Sequence, residues 1–341
     1  MKMKVLCINK PGELEIKDLP YPVRKPNEAI VKMEMCGICG SDVTAYRGVN
    51  PTMKYPIEGL GHEGVGTIEE IDENNSEGLK VGDRVALEPY VGCGHCYMCK
   101  TGRYNNCTDI RVCGVHKNGM MAEYFVHPVN QMYKIPDDMT FLHAALTEPL
   151  TIGLHGTARA KVGLGDRVVV FGAGVIGLMA CFAAMNRGAV PIVIDMVQAR
   201  LDKAKKLGVP YAFNSTNGGV EEYLKEVTNG KLPEAMVDCT GAAPIINNIQ
   251  NYVAYGGRVA LVGWPHADVK VNQIRLMQKE IDVYPSRNSA QEFPPAIDMI
   301  ERGKLPADGL ITKTISLEEV DATIQDMIAN PSDYLKVIVK I

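Results

Sequence analysis

The chain has 341 residues, which predicts about two domains at roughly 150 residues each. Hydrophobic residues make up 46% and charged residues 22%, a balance typical of a folded globular protein rather than a disordered one. Lys and Arg number 36 against 40 Asp and Glu, giving a net charge of −4, and aromatic residues are only 6%. These values argue against a nucleic-acid-binding protein, which needs a basic excess or broad aromatic stacking surfaces.

The first residues lack the long apolar stretch and small-residue cleavage site of a signal peptide. We therefore expect a cytoplasmic protein whose ten cysteines are reduced and serve as metal ligands or catalytic groups rather than disulfides. One apolar run, residues 168–185, reaches the shortest length of a membrane span. Its three spaced glycines and its β-branched start instead predict a buried strand followed by a buried helix, so no membrane association is expected.

Short alternating segments dominate the first part of the chain. Apolar and polar side chains alternate in residues 29–35, and the segments 64–68 and 84–87 have similar strand-like patterns. These segments predict a β-rich, barrel-like domain. From about residue 155 strands alternate with helices. The strands are predicted at 167–171, 191–195, 234–239 and 258–262, and the helices that follow the first two at 175–186 and 198–207. This order predicts βαβ units and a doubly wound parallel sheet, an α/β fold.

The chain after Pro285 is expected to return to the first domain, with helices near 296–302 and 317–329. The predicted division is therefore a β-rich domain of residues 1–154, completed by 291–341, and a nucleotide-binding domain of residues 155–290.

Four cysteines lie within fifteen residues, in the pattern C-x2-C-x2-C-x7-C. They are Cys93, Cys96, Cys99 and Cys107. Four thiolates this close suit tetrahedral Zn²⁺, and such a closed set predicts a structural site that braces its loop. An iron–sulfur cluster is the alternative metal group for this spacing, but nothing else in the sequence indicates electron transfer.

A G-x-G-x-x-G fingerprint, GAGVIG, directly follows the first predicted Rossmann strand and opens an apolar helix. Its residues are Gly172, Gly174, Val175, Ile176 and Gly177. In this setting the glycines permit a tight turn, close approach of a pyrophosphate, and helix–strand packing.

An acidic residue, Asp195, ends the next strand eighteen residues after Gly177, where a carboxylate binds the adenosine ribose hydroxyls and repels a 2′-phosphate. The expected cofactor is therefore NAD rather than NADP. Arg200 is interpreted as an adenine-stacking or solvated side chain.

Three further motifs point to a second metal site that keeps a position open. They are C-G-I-C-G-S-D, which contains Cys39, G-H-E at His62 and Glu63, and E-P-L at Glu148. Each motif is weak alone, but together with a nucleotide-binding fold they indicate a catalytic zinc. Cys36 is the competing thiol, and its place in the alternation of its strand predicts burial.

Taken together, these motifs resemble those of the zinc-dependent medium-chain dehydrogenases, in the same order and over essentially the whole chain. The resemblance implies a GroES-like catalytic domain joined to a Rossmann domain. Glu148 stands where the alcohol dehydrogenases proper carry cysteine, which is similar to the polyol (sorbitol) and threonine dehydrogenase branch.

The two donor sets of this chain together imply two zinc ions, one catalytic and one structural. The resemblance implies that Cys39 and His62 ligate the catalytic zinc, and that Glu63 and Glu148 complete its shell directly or through water. Such a metal would act as a Lewis acid that lowers the pKa of the substrate hydroxyl, and the alkoxide so formed would expel the hydride of its carbon to NAD, which leaves a ketone. Ser41 hydrogen-bonds that hydroxyl and begins a proton relay. Thr44 replaces a histidine frequent in relatives, which changes the route by which the proton leaves.

Segments around Tyr46, residues 114–119 and Arg287 are similar to bacterial L-gulonate and L-galactonate 5-dehydrogenases. This likeness implies a small-molecule substrate, namely the secondary hydroxyl of a sugar acid or polyol, with Thr44, Tyr46 and Arg287 as candidate contacts. Neutral polyols, butanediol and L-threonine are the alternative substrates, and a homodimer or homotetramer is expected. A non-catalytic relative should have lost zinc ligands, and the zinc-free quinone and enoyl reductases lack both metal sites; this sequence keeps both.

Overall fold

The structure, a computed structural model, describes residues 1–265 and 267–341. It divides the chain into two compact units. Unit 1 comprises Met1–Glu148, Phe293–Gly303 and Ala307–Ile341, and unit 2 comprises Pro149–Glu292 and Lys304–Pro306. The observed division thus falls at residues 148 and 292, beside the expected 154 and 290.

Strands form the sheets of unit 1 and the centre of unit 2. In chain order they are β1 (Lys2–Lys10), β2 (Glu13–Pro20), β3 (Glu28–Ile38), β4 (Glu63–Glu70), β5 (Arg84–Leu87), β6 (Tyr90–Val91), β7 (Arg111–Val112), β8 (Tyr124–Pro128), β9 (Met132–Lys134), β10 (Arg167–Phe171), β11 (Val190–Asp195), β12 (Tyr211–Asn214), β13 (Ala235–Asp238), β14 (Arg258–Leu261), β15 (Asp282–Pro285), β16 (Ile311–Ser316) and β17 (Lys336–Lys340).

The helices are mostly short in unit 1 and longer in unit 2. In chain order they are α1 (Gly40–Tyr46), α2 (Tyr97–Lys100), α3 (Phe141–Ala144), α4 (Thr147–Arg159), α5 (Val175–Asn186), α6 (Gln198–Lys206), α7 (Val220–Val227), α8 (Ala243–Ile246), α9 (Ile249–Tyr252), α10 (Gln273–Lys279), α11 (Phe293–Glu301), α12 (Ala307–Leu310) and α13 (Val320–Ala329). A 3₁₀ turn, Leu317–Glu319, precedes α13, so the helix expected from residue 317 has its first turn in the tighter form.

The main sheet of unit 1 has seven strands in the order β16-β17-β3-β4-β5-β9, with β8 paired to β3. Its register places Gly37 opposite Glu63 and Ile38 opposite Val337. The end of β3 and the starts of β4 and β17 therefore lie side by side at one end of these strands. This meeting point holds the side chains of the candidate metal centre.

Unit 2 has a six-stranded sheet in the order β12-β11-β10-β13-β14-β15, and every neighbouring pair is parallel. This is the doubly wound arrangement, with its switch point between β10 and β13, and it confirms the expected α/β fold. The apolar run of residues 168–185 forms β10, the following turn and most of α5, as expected. In the described part of the chain, no helix combines the length and apolarity needed to cross a bilayer.

Candidate metal centres and cofactor site

The four-cysteine loop of unit 1 brings its thiols together as the spacing predicts. The Sγ atoms of Cys93, Cys96, Cys99 and Cys107 all lie within 4.8 Å of one another. A tetrahedral zinc with Zn–S bonds of ~2.3 Å holds its sulfurs ~3.8 Å apart, and this separation lies within the 4.8 Å limit of the cluster. Helix α2 supplies the turn between the second and third cysteines.

Backbone amides of the loop point at these sulfurs. Cys107 Sγ accepts hydrogen bonds from the amides of Cys93 and Asp109, each at 3.3 Å. Amides of Cys99 and Thr108 lower the pKa of Cys96 to about 6. Donors aimed at sulfur favour the thiolate, the form that binds metal. The loop therefore fits a zinc ion held by four cysteines.

A second donor cluster lies where the end of β3 and the start of β4 are side by side. Cys39 Sγ, a ring nitrogen of His62 and a carboxylate oxygen of Glu63 are within 4.8 Å of one another. Cys39 is the N-cap of α1, and Glu63 is the first residue of β4. A Cβ at Gly37 would lie 1.9 Å from Glu63 Oε2, so only glycine leaves room for this carboxylate. His62 and Glu63 are 6% and 1% exposed.

Asp42, buried in the first turn of α1, supports two of these ligands. Its Oδ2 accepts a hydrogen bond from the Cys39 amide at 2.8 Å, and its Oδ1 lies 3.8 Å from His62 Nδ1. Burial alone lowers the pKa of His62, but the charges of Cys39 and Asp42 outweigh it and raise that pKa well above its usual value. The centre thus carries an excess of negative charge, which a divalent cation would balance.

Glu148, at the start of α4, is buried beside this centre and adds a second buried carboxylate to it. Burial raises its pKa to about 7, and the nearby charge of Glu63 adds to the rise. The Tyr90 hydroxyl donates a hydrogen bond to Glu148 Oε1. Two buried carboxylates, a thiol and an imidazole are a mixed donor set that suits zinc with an open position. The residues present therefore fit a catalytic zinc.

Lys336 is a functional residue that the sequence analysis missed. Its Nζ donates to Glu63 Oε1 at 2.7 Å, to Glu63 Oε2 at 2.5 Å and to the Ile38 carbonyl at 3.0 Å. All three ammonium protons therefore have acceptors, although the residue is only 2% exposed. Burial lowers the pKa of Lys336, but the charges of Glu63 and Cys39 and the hydrogen bond to Glu63 together outweigh it, and the net shift is upward.

The predicted substrate-side residues of α1 differ in their surroundings. Ser41 Oγ is buried, and within the described ranges it has no hydrogen-bond partner, which leaves it able to bond to a ligand. The Thr44 hydroxyl donates to the Ser41 carbonyl at 2.9 Å, not to the Ser41 hydroxyl. The Tyr46 hydroxyl accepts from Gln325 of α13 at 3.1 Å, a contact that anchors it within unit 1.

The nucleotide fingerprint of unit 2 has the geometry that its three glycines predict. Gly172 has φ of +98°, which favours glycine, and a Cβ at Gly174 would meet no described atom within 4 Å. A Cβ at Gly177 would lie 1.7 Å from the Gly172 carbonyl oxygen. The turn therefore leaves open space at the N-terminus of α5, whose first residues are Val175 and Ile176.

The carboxylate of Asp195 is fixed at the end of β11, next to the fingerprint turn. Its Oδ2 accepts from the Ala173 amide at 2.6 Å and its Oδ1 from the Val197 amide at 2.8 Å. A carboxylate has further lone pairs, so these bonds orient it and leave it able to accept ribose hydroxyls. Arg200 is half-buried on α6, and Arg287 is exposed two residues after β15.

Two protein-family models match the chain. Residues 25–137 match the alcohol dehydrogenase GroES-like domain, and residues 175–302 match the zinc-binding dehydrogenase family. Sorbitol dehydrogenase of Bacillus subtilis is 32% identical over 99% of this chain and 97% of its own length. The chain is a zinc-dependent medium-chain dehydrogenase of the polyol branch.

Two further comparisons agree with this family. L-galactonate-5-dehydrogenase of Escherichia coli is 34% identical over 99% of this chain and 98% of its own length. The crystal structure of the alcohol dehydrogenase RspB from E. coli CFT073, complexed with NADH, is 33% identical with a TM-score of 0.93. It covers 100% of this chain, which itself covers 99% of RspB. As a member of this family, the dehydrogenase has a GroES-like unit 1 and a Rossmann unit 2, as expected.

Proposed function

We propose that this dehydrogenase oxidises a secondary hydroxyl of a six-carbon sugar acid, of the L-gulonate or L-galactonate type, to a ketone with NAD. The observation that carries the reaction class is the cluster of half-buried Cys39 with buried His62 and Glu63, supported by Lys336 and joined by Glu148. The similarity to L-galactonate-5-dehydrogenase supports the substrate class.

We further propose two zinc ions per chain, one in each donor cluster. Cys93, Cys96, Cys99 and Cys107 hold the structural ion. Cys39, His62 and Glu63, with Glu148 beside them, hold the catalytic ion. When bound there, zinc supplies Lewis acidity that lowers the pKa of a substrate hydroxyl.

The chain's own residues supply positioning and proton transfer. Ser41 Oγ, buried at the first turn of α1, hydrogen-bonds the substrate hydroxyl and receives its proton. The Thr44 hydroxyl donates to the Ser41 carbonyl, so the proton of Ser41 would pass to another acceptor, such as water. Asp42 Oδ1 lies 3.8 Å from His62 Nδ1 and places a negative charge beside that ring.

Selectivity for NAD over NADP is assigned to Asp195, with the fingerprint glycines binding the pyrophosphate. Asp195→Ala removes the acceptor for the ribose hydroxyls and the repulsion of a 2′-phosphate. We expect the ratio of kcat/KM for NAD to that for NADP to fall at least about tenfold, or about 1.4 kcal/mol. An unchanged ratio would remove Asp195 from this role.

The substrate class is tested by NAD reduction across hexonates, the matching hexitols, L-threonine, butanediol and primary alcohols. We expect hexonates to give the highest kcat/KM, because a guanidinium such as that of Arg287 binds a carboxylate bidentately. Arg287→Met should then lose the preference for hexonates over hexitols. Arg275→Met, another exposed arginine of unit 2, is the matched control. Preference for a primary alcohol would overturn the assignment to the polyol branch.

Neutral polyols are the second candidate, because sorbitol dehydrogenase is similar over nearly the whole chain. We also propose self-association as a homodimer or homotetramer. The edge strand β15 lies at one side of the unit 2 sheet, and on nearby α10 the side chains of Ile274 and Met277 are 69% and 72% exposed. The molar mass in solution, measured by light scattering, tests this assembly.

A further inference from the structure

Tyr90 lies against the catalytic centre of unit 1 and is anchored on both sides. Its side chain is 3% exposed, and its hydroxyl donates to Glu148 Oε1. The side-chain amide of Gln131, itself 8% exposed, donates to the Tyr90 carbonyl. A buried tyrosine whose backbone is held in this way has little freedom to move its hydroxyl away from the carboxylate.

The two carboxylates of the centre are held by donors of different charge. Lys336, a buried cation, binds both oxygens of Glu63. Tyr90 is a neutral donor and binds one oxygen of Glu148. A cation compensates the charge of the carboxylate it binds, whereas a neutral hydroxyl orients the carboxylate and leaves most of that charge in place. The two glutamates are therefore not equivalent toward a metal ion.

We propose that Tyr90 is a positioning residue that fixes Glu148 so that its charge is directed to the metal centre. The inference rests on the proposed catalytic zinc site. Tyr90 acts through Glu148 alone and has no role in proton transfer. Residues that orient a ligating or adjacent carboxylate typically contribute 10–100-fold in metal affinity or activity.

The chain offers a matched control for the loss of such a hydroxyl. Tyr133 donates from its hydroxyl to Glu88 Oε2 at 2.8 Å, and Glu88 is fully buried. Tyr133→Phe and Tyr90→Phe thus each remove one tyrosine-to-glutamate hydrogen bond from unit 1. Glu88 also accepts from the Tyr104 hydroxyl, so Tyr133→Phe controls for the loss of a buried tyrosine hydroxyl away from the metal centre.

The experiment is chelator competition on zinc-loaded protein, followed as zinc retained per chain and needing no substrate. Cys39→Ala protein keeps only the four-cysteine site, so its zinc release under chelator identifies the zinc ion that leaves from that loop. We expect Tyr90→Phe to weaken zinc at the other site by about 10–100-fold and Tyr133→Phe to leave its affinity unchanged. In a Glu148→Ala background, Tyr90→Phe should produce no further change.

The possible outcomes distinguish the role of Tyr90 from the existence of the catalytic zinc site. Equal zinc affinity in Tyr90→Phe and the unaltered protein overturns the role of Tyr90 and leaves the catalytic zinc in place. An undiminished effect of Tyr90→Phe in the Glu148→Ala background overturns it as well, because the residue then acts by another path. If the unaltered protein holds no zinc beyond the four-cysteine loop, the proposed metal centre fails, and the role of Tyr90 fails with it.

Discussion

The two donor clusters of unit 1 differ in where their residues come from and in what surrounds them. The four cysteines come from one fifteen-residue loop, have identical side chains, and are supported by the loop's own amides. The centre at Cys39 draws on the turn between β3 and α1, the start of β4 and the start of α4, and its supporting groups come from α1, β6 and β17.

We propose that this difference separates a structural site, which stabilises a loop, from a catalytic one. Four thiolates fill a tetrahedral shell and leave no position for a substrate. Under the proposed function, the mixed set of sulfur, nitrogen and carboxylate donors keeps one position for the substrate, and the buried hydroxyl of Ser41 lies two residues after Cys39. The mixed centre buries several ionisable groups, which is unfavourable. Lys336 and Tyr90 offset this effect by direct contacts with Glu63 and Glu148.

The largest expected effect comes from removing a ligand of the mixed centre. Cys39→Ala or His62→Ala should abolish turnover, because no other described thiol or imidazole replaces the lost donor. NADH binding, which depends on the fingerprint of unit 2, should be retained. Steady-state rates and NADH fluorescence titration measure both properties. Turnover by zinc-depleted Cys39→Ala protein would contradict the assignment.

Removing a ligand of the loop should act on stability instead. Cys96→Ser or Cys107→Ser opens the four-cysteine site, and loss of a structural metal is among the changes that destabilise by about 4–5 kcal/mol or more. Denaturant unfolding of the purified variants measures this loss. Variants that keep full stability but lose turnover would reverse the roles of the two sites.

Lys336→Met probes the support of the mixed centre. The substitution leaves Glu63 buried without its cation, and breaking a buried pair in this way typically costs about 3–5 kcal/mol. Lys336→Arg keeps the charge and should retain most of the stability. The free energy of unfolding in urea compares the three proteins. Equal stability of the Met variant and the unaltered chain would show that the ion pair contributes little.

A smaller, pH-dependent effect is expected at His127, whose Nε2 contacts the Glu88 carbonyl at 2.8 Å. Burial, and next the charge of Lys117, lower the pKa of His127 to about 3. The unfolded chain, with a histidine pKa near ~6.5, therefore binds the proton first as the pH falls.

The stability contributed by neutral His127 is complete above about pH 6.5 and is lost progressively from there down to about pH 3. Between pH 8 and pH 5 the loss should be about 2 kcal/mol. His127→Gln should make the unfolding free energy less steep over this range. An equal slope in both proteins would show that His127 does not titrate in this way.

The sequence predicted those features whose residues lie close together in the chain. The four-cysteine spacing and GAGVIG each state a geometry within a few residues, and β10 and α5 have the predicted bounds. Lys336 could not be found, because its partner Glu63 lies 273 positions away and only the register of β17 against β3 joins them. Tyr90 carries no motif, and its contact with Glu148 depends on how β6 packs.

The most direct test of the two-site account is the zinc content of the purified protein and of two variants. The account predicts two zinc ions in the unaltered chain, one in Cys39→Ala and one in a folded Cys96→Ser protein, with turnover only in the unaltered chain and in Cys96→Ser. A single zinc in the unaltered chain that is lost with Cys96→Ser but kept with Cys39→Ala would contradict the account.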